Sequence, residues 1–105
     1  MNKNFGNMMK QAQKLQAKMT QLQQDLEADR VTGSAGGGMV TVTANGKQEI
    51  VQIKIDPQVV VADDVEMLED LILAAVNQAR ENAAALAQEK MQQLTGGLNI
   101  PGLNI

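Results

Sequence analysis

Residues 39–55 read MVTVTANGKQEIVQIKI, and the fold follows from this stretch. Apolar and polar residues alternate on both sides of Asn45-Gly46, which is the pattern of two half-buried β-strands. Asn-Gly is typical of a two-residue type I′ turn, in which both central residues need a positive φ. The stretch therefore predicts a β-hairpin. Because a lone hairpin is marginally stable in water, its apolar face is expected to pack on a third strand, a helix or a partner sheet.

A long helix is predicted on each side of the hairpin. Before it, apolar residues recur at alternating spacings of three and four, which places them on one seam of a helix over residues 4–28. The seam consists of Phe5, Met8, Ala12, Leu15, Met19, Leu22 and Leu26. After the hairpin, an approximately helical period extends over residues 63–95, with Asp63 as the cap and Glu66 three residues later in a capping-box-like arrangement.

The positions of glycine and proline indicate where the loops between these elements lie. Val31 and Thr32 are compatible with a short strand, but the glycine-rich run over residues 33–38 predicts a loop. Asp56-Pro57 is expected to end the hairpin because proline has no N–H to donate. The chain of 105 residues has room for one domain, which we predict to be of the α+β class. Its predicted parts are a helical arm over residues 1–28, a small antiparallel β-sheet over residues 31–57, a second helix over residues 63–95 and a flexible tail over residues 96–105.

The composition excludes most kinds of catalysis. There is no Cys and no His, so thiolate nucleophiles, imidazole bases and the usual zinc ligands are absent. The acidic residues that open the second helix lack the spacing of an EF-hand, and they are expected to stabilise the helix dipole. We therefore expect no enzyme, no cofactor, no metal site and no small-molecule substrate. No apolar run approaches the roughly 20 residues of a membrane span, so a cytoplasmic protein without membrane contact is expected.

The formal net charge of −3 conceals a strong asymmetry along the chain. Residues 1–24 hold four lysines and no acid, whereas residues 63–105 hold seven acids against Arg80 and Lys90. On a helix the four lysines fall within an arc of about 80°, on the side opposite the apolar seam. They are Lys3, Lys10, Lys14 and Lys18. Such a cationic face can follow a phosphate backbone, although lysines at the outer positions of a heptad can also simply solvate a helix.

Successive blocks of the sequence resemble the YbaB/EbfC family of nucleoid-associated proteins. The blocks are FGNMMKQAQ at residues 5–13, VTG at 31–33, VTVTANG at 40–46, IKIDP at 53–57, EMLEDL at 66–71, AAVN at 74–77, TGGL at 95–98 and PG at 101–102. They follow one another in order over nearly the whole chain, which makes the resemblance far more specific than any single motif.

The resemblance implies a cytoplasmic, nucleoid-located DNA-binding protein that acts as a tweezer-like homodimer with projecting helical arms. It also implies DNA compaction or bending and effects on gene expression, with DNA contacts from both terminal helices. On this basis the predicted contacts are Lys10 and Lys14 first, then Lys3 and Lys18, and Lys90 near the end of the second helix. Because the chain is acidic overall and lacks an Arg-rich or aromatic base reader, we expect contacts mainly to the DNA backbone.

The alternative hypothesis is a dimeric protein-interaction module without a direct DNA role. Its Met-lined helical arms would grip another helix in a groove, and the net negative charge favours this interpretation.

Overall fold

Along the chain, one long helix precedes a three-stranded antiparallel sheet and a second long helix follows it, which confirms the predicted α+β class. A computed structural model describes residues 2–96, with side chains from Asn4 onward. Its elements are α1 (Asn2–Ala28), β1 (Val31–Ala35), β2 (Val40–Ala44), β3 (Ile50–Ile55), two short 3-10 turns (Pro57–Val59 and Ala62–Asp64) and α2 (Val65–Gly96). The predicted tail lies outside the described residues, except for Gly96, which ends α2.

The core lies between α2 and the first two strands. Three alanines of α2, Ala75, Ala79 and Ala83, are completely buried and recur every four residues, so they form one stripe along the helix. The stripe packs on Val40 and Val42 of β2, whose side chains are also fully buried. Side chains as small as alanine let the helix backbone approach the sheet closely.

Gly33 marks the point of closest approach between α2 and β1. A Cβ atom at this position would lie against the backbone nitrogen of Ala79 and 2.5 Å from the carbonyl oxygen of Ala75. The predicted loop over residues 33–38 is therefore wrong for its first half, because the strand continues through Gly33 to Ala35. The glycines that make the turn to β2 are Gly36 to Gly38, and all three have positive φ.

The hairpin between β2 and β3 forms as predicted, but with a different turn. Neither Asn45 nor Gly46 has a positive φ, so the type I′ turn is wrong. The N–H of Gln48, a residue with φ of 67°, donates to the carbonyl of Asn45, while the N–H of Asn45 donates to the carbonyl of Glu49. This is the three-residue loop that ends in a left-handed residue. Gly46 instead allows close approach to α1, since its N–H donates to the carbonyl oxygen of Leu26 at 2.7 Å.

Apart from β1, the helices and β3 end within about two residues of the predicted positions. The strand β3 ends before Asp56-Pro57, as expected. At the start of α2, however, the cap is Asp64 and not Asp63, because the Asp64 carboxylate accepts a hydrogen bond from the N–H of Met67. Asp63 belongs to the 3-10 turn that precedes the helix.

The two edges of the sheet differ. At the β1 edge, the N–H of Ser34 donates to the side chain of Gln78 and the carbonyl of Thr32 accepts from Asn82, so α2 satisfies backbone groups there. The β3 edge has no such cover among residues 2–96, and its apolar side chains Val51, Ile53 and Ile55 are 46%, 45% and 36% exposed.

The molecule is elongated because α1 extends beyond the body. Its dimensions are 74 × 25 × 16 Å and its radius of gyration is 20.2 Å, whereas a compact chain of this length has a radius of gyration of roughly 13 Å. Within the described part of the chain, α1 is anchored near its end, where the side chains of Leu22 and Leu26 are buried. All described side chains from Asn4 to Lys14 are exposed. We refer to residues 4–18 of α1 as the arm.

Candidate nucleic-acid interface

The arm carries a line of positive charge. Lys10, Lys14 and Lys18 recur every four residues, so they share one side of the helix and rise about 6 Å from one to the next. All three are exposed, and none forms an ion pair within the described part of the chain. The first acidic residue of the sequence is Asp25, so the line lies in a segment without negative charge. We call these three residues the lysine line.

Lys3 is the remaining predicted lysine of this helix. The backbone of Lys3 belongs to α1, but its side chain lies outside what the structure describes. Its contact with DNA stays a prediction.

Lys90 is placed differently from the lysine line. Its Nζ lies 2.6 Å from Oδ2 of Asp29, and the two side chains are 30% and 28% exposed. The pKa of Lys90 is raised above its ordinary 10.5, first because its ammonium donates a hydrogen bond to Asp29 and further because of the negative charges of Asp29, Asp25 and Glu89, while desolvation opposes the rise. Lys90 is therefore charged and paired at neutral pH.

A polar groove between α1 and α2 brings two of the predicted lysines together. It is lined by Lys18, Gln21, Leu22, Asp25, Lys90, Gln93 and Leu94. Its positive groups face the carboxylate of Asp25, so the groove carries less net positive charge than the outer part of the arm.

The other cations near the end of α1 also have partners, which the sequence does not indicate. Arg30 donates to the carbonyl oxygens of Glu27 and Asp29, which lie at the C-terminal end of this helix. Lys47 lies 3.6 Å from Glu27. The pairing of Asp29 with Lys90 could not be predicted from the sequence, because the two residues are 61 positions apart along the chain. The pairing of Glu27 with Lys47 likewise depends on how the hairpin packs against α1.

The opposite side of the arm is apolar. Phe5, Met8 and Met9 are 66%, 67% and 48% exposed, so the outer part of the predicted seam has no cover among the described residues. The inner part of the same seam is buried at Leu22 and Leu26. The arm thus presents a cationic side and an apolar side.

Two further findings bear on what the surface can bind. Among residues 2–96, no cluster of three or more His, Cys, Asp or Glu is arranged to hold a metal ion. Within the same residues, neither helix is long and apolar enough to cross a membrane.

Comparisons with a family model and with individual relatives point to the same family. A model of the YbaB/EbfC DNA-binding family matches residues 1–98. A nucleoid-associated protein of Clostridium novyi is 57% identical over 100 residues, which cover 95% of this chain and 88% of that protein. A nucleoid-associated protein of Thermoanaerobacter pseudethanolicus is 54% identical over the same length, covering 95% and 90% of the two chains.

A solved structure shows the same fold. It is that of an uncharacterized protein from Helicobacter pylori, with a TM-score of 0.67 and 23% sequence identity, and the match covers 90% of this chain and 95% of that one.

Proposed function

The chain belongs to the YbaB/EbfC DNA-binding family, and on that premise we propose that it acts in the cytoplasmic nucleoid as a homodimer that binds duplex DNA mainly through the phosphates. In doing so it alters the conformation or compaction of the DNA and thereby affects gene expression. It uses no cofactor, and its DNA contacts come first from the lysine line.

The observation that carries the proposal is the lysine line itself. Three exposed lysines, none of which forms an ion pair within residues 2–96, stand on a projecting helix in a segment without acids. In a homodimer this surface occurs twice, which compensates locally for the net charge of −3 on each chain. Phosphate contacts by lysine fix the position of a protein on DNA but carry no base information. Binding with little sequence preference is the expected consequence.

Binding should depend steeply on salt. If about four phosphates are neutralised, the logarithm of the affinity falls against the logarithm of the salt concentration with a slope of about −4. Between about 50 and 200 mM salt this slope corresponds to a loss of about 250-fold in affinity. Fluorescence anisotropy on several unrelated duplexes measures the slope, and the duplexes should agree to within a few-fold. A flat salt dependence would contradict phosphate binding.

The uncovered β3 side of the sheet supports the homodimer. Val51, Ile53 and Ile55 are exposed although Ile53 and Ile55 lie opposite the fully buried Val42 and Val40 in the neighbouring strand. Burial of one such side chain contributes roughly 1.5–3 kcal/mol, so a second copy that covers this strip would gain substantially. The β1 edge is less suited to pairing because Gln78 and Asn82 already bond to it.

Replacing Ile53 by glutamate should weaken the dimer. A charge in the centre of the proposed interface cannot be desolvated cheaply, so the dimer dissociation constant is expected to rise at least about tenfold. The matched control is Gln52→Glu, which adds the same charge on the neighbouring residue of the same strand, on the other face. Sedimentation equilibrium measures both. If the two variants associate like the unchanged protein, β3 is not the dimer surface.

A protein-interaction role is the second candidate, and the exposed Phe5, Met8 and Met9 favour it. Their side of the arm could receive an apolar helix without involving the lysine line. A gel-shift titration against unrelated duplexes separates the two functions. DNA binding requires that most duplexes are retarded, and a pure interaction module requires that none is.

A further inference from the structure

Three polar contacts near the end of α1 add to the buried Leu22 and Leu26 in holding the arm. The carbonyl of Leu26 accepts from the N–H of Gly46, the carboxylate of Glu27 lies 3.6 Å from Lys47, and that of Asp29 lies 2.6 Å from Lys90. The first two contacts join α1 to the hairpin loop. Among residues 2–96, the third is the ion pair that joins Asp29, directly after α1, to α2.

The Lys90–Asp29 pair is the shorter and less exposed of the two ion pairs. Its Nζ–Oδ2 distance of 2.6 Å is that of a charge-assisted hydrogen bond, and both side chains are about 30% exposed. In the Lys47–Glu27 pair the distance is 3.6 Å and the Glu27 side chain is 67% exposed. Exposed pairs at such distances contribute little to the geometry of a protein.

We propose that the Lys90–Asp29 pair is a positioning contact, which fixes the angle between the arm and α2 and so aims the lysine line at the DNA. This inference rests on the proposed function. In it Lys90 acts through Asp29, and not as a phosphate contact of its own.

The length of the arm makes the angle important. From the end of α1 back to Lys10 the helix runs about 28 Å, so a tilt of about 10° at its base moves Lys10 by about 5 Å. This displacement exceeds the rise of one base pair, about 3.4 Å. A small change at Asp29 is therefore enough to take a lysine out of reach of its phosphate.

The direction in which Asp29→Asn changes DNA affinity distinguishes a positioning role of the pair from a purely electrostatic effect. Asp29→Asn removes a negative charge from a DNA-binding protein, so electrostatics alone predicts equal or tighter binding. Positioning predicts weaker binding, by about fivefold for each phosphate contact that is lost at physiological salt. The control is Glu27→Gln, which removes a neighbouring acid of the same helix end and should leave affinity unchanged or slightly improved. If Asp29→Asn binds DNA as tightly as the unchanged protein, the inference is overturned.

Two further variants test the role of Lys90. If Lys90 contacted a phosphate itself, exchange of the two charges (Asp29→Lys with Lys90→Asp) would leave affinity reduced, because the positive charge would no longer stand at position 90. If Lys90 is a positioning residue, Lys90→Gln should weaken binding by at least as much as Asp29→Asn, and the exchange should restore affinity to within a few-fold. No rescue by the exchange would count against the pair as a positioning contact.

A distance measurement tests the inference without DNA. Because the chain has no cysteine, spin labels can be attached at Gln13→Cys on the arm and Glu81→Cys on α2, both at exposed positions. Labelled protein diluted into unlabelled protein reports the distance within one copy. In the Asp29→Asn background the distance distribution should shift or broaden by several ångström, and an unchanged distribution would refute the inference. If the unchanged protein ignores DNA, the proposed function fails, while this measurement still decides whether the pair sets the arm.

Discussion

Reversal of two charges, Lys10→Glu with Lys14→Glu, should weaken binding to duplex DNA about a thousandfold at physiological salt. In a homodimer the change affects two lysines on each of two arms, so up to four phosphate contacts are lost, at about fivefold each. Glutamate also adds repulsion at the same points. Because both side chains are exposed and make no ion pair among the described residues, the fold should be unaffected.

A matched control is available for this experiment. Lys54 and Arg80 are exposed and lie on β3 and α2, outside the lysine line. Their replacement by glutamate changes the net charge by the same amount as the arm variant. Gel-shift titration of both variants should show a much smaller loss for the control. If the two variants lose affinity equally, total charge and not the arm determines binding.

Gly33→Ala should destabilise the protein strongly. The new Cβ would meet the backbone of α2 at Ala75 and Ala79, and a helix backbone cannot move aside as the end of a flexible side chain can. Overpacking of a core typically costs 1–3 kcal/mol, and we expect the upper part of this range, about 2–3 kcal/mol. For a domain of this size, the melting temperature should fall by about 10–20 °C.

The same substitution on the arm provides the control. Gly6 lies in α1, and a Cβ at this position would have nothing within 4 Å. Gly6→Ala should therefore leave stability unchanged or increase it by up to about 1 kcal/mol, because alanine favours the helix. Urea unfolding of both variants gives the comparison. An unaltered unfolding free energy for Gly33→Ala would mean that α2 is not seated on β1 as described.

Much of the fold could be predicted because the spacing of apolar residues along the chain indicates helices and strands. The alternation around Asn45-Gly46 and the three-four spacing before it correctly gave a hairpin and a long helix. The spacing does not show how much of an apolar seam is covered by the rest of the protein. Met8 and Leu22 occupy equivalent positions on one seam, yet Met8 is 67% exposed and Leu22 only 6%.

The predictions at Gly33 and Gly46 are wrong for the same physical reason. A glycine that allows positive φ and a glycine that allows close approach look the same in a sequence. Gly33 admits the backbone of α2, and Gly46 admits the end of α1. Both depend on elements that are distant along the chain, so a local pattern could not distinguish them from loop residues.

The candidate site was predictable to a similar degree. The spacing of Lys10, Lys14 and Lys18 placed them on one side of a helix, and they share one side. The pairing of Lys90 with Asp29 depends on how α2 crosses the end of α1, which is a property of the tertiary structure. The resemblance places Lys90 among the DNA contacts because it lies near the end of the second helix, and the sequence gives no sign of its pairing with Asp29.

The closed border of the sheet at β1 limits how copies of this chain can stack. Because Gln78 and Asn82 bond to that edge, β3 is the edge that stays open to main-chain pairing within residues 2–96. If the proposed dimer forms strand to strand through β3, each copy covers the open edge of the other, and a third copy finds none among these residues. Such a dimer would stop growth through the sheet at two copies and so oppose fibril formation by this route.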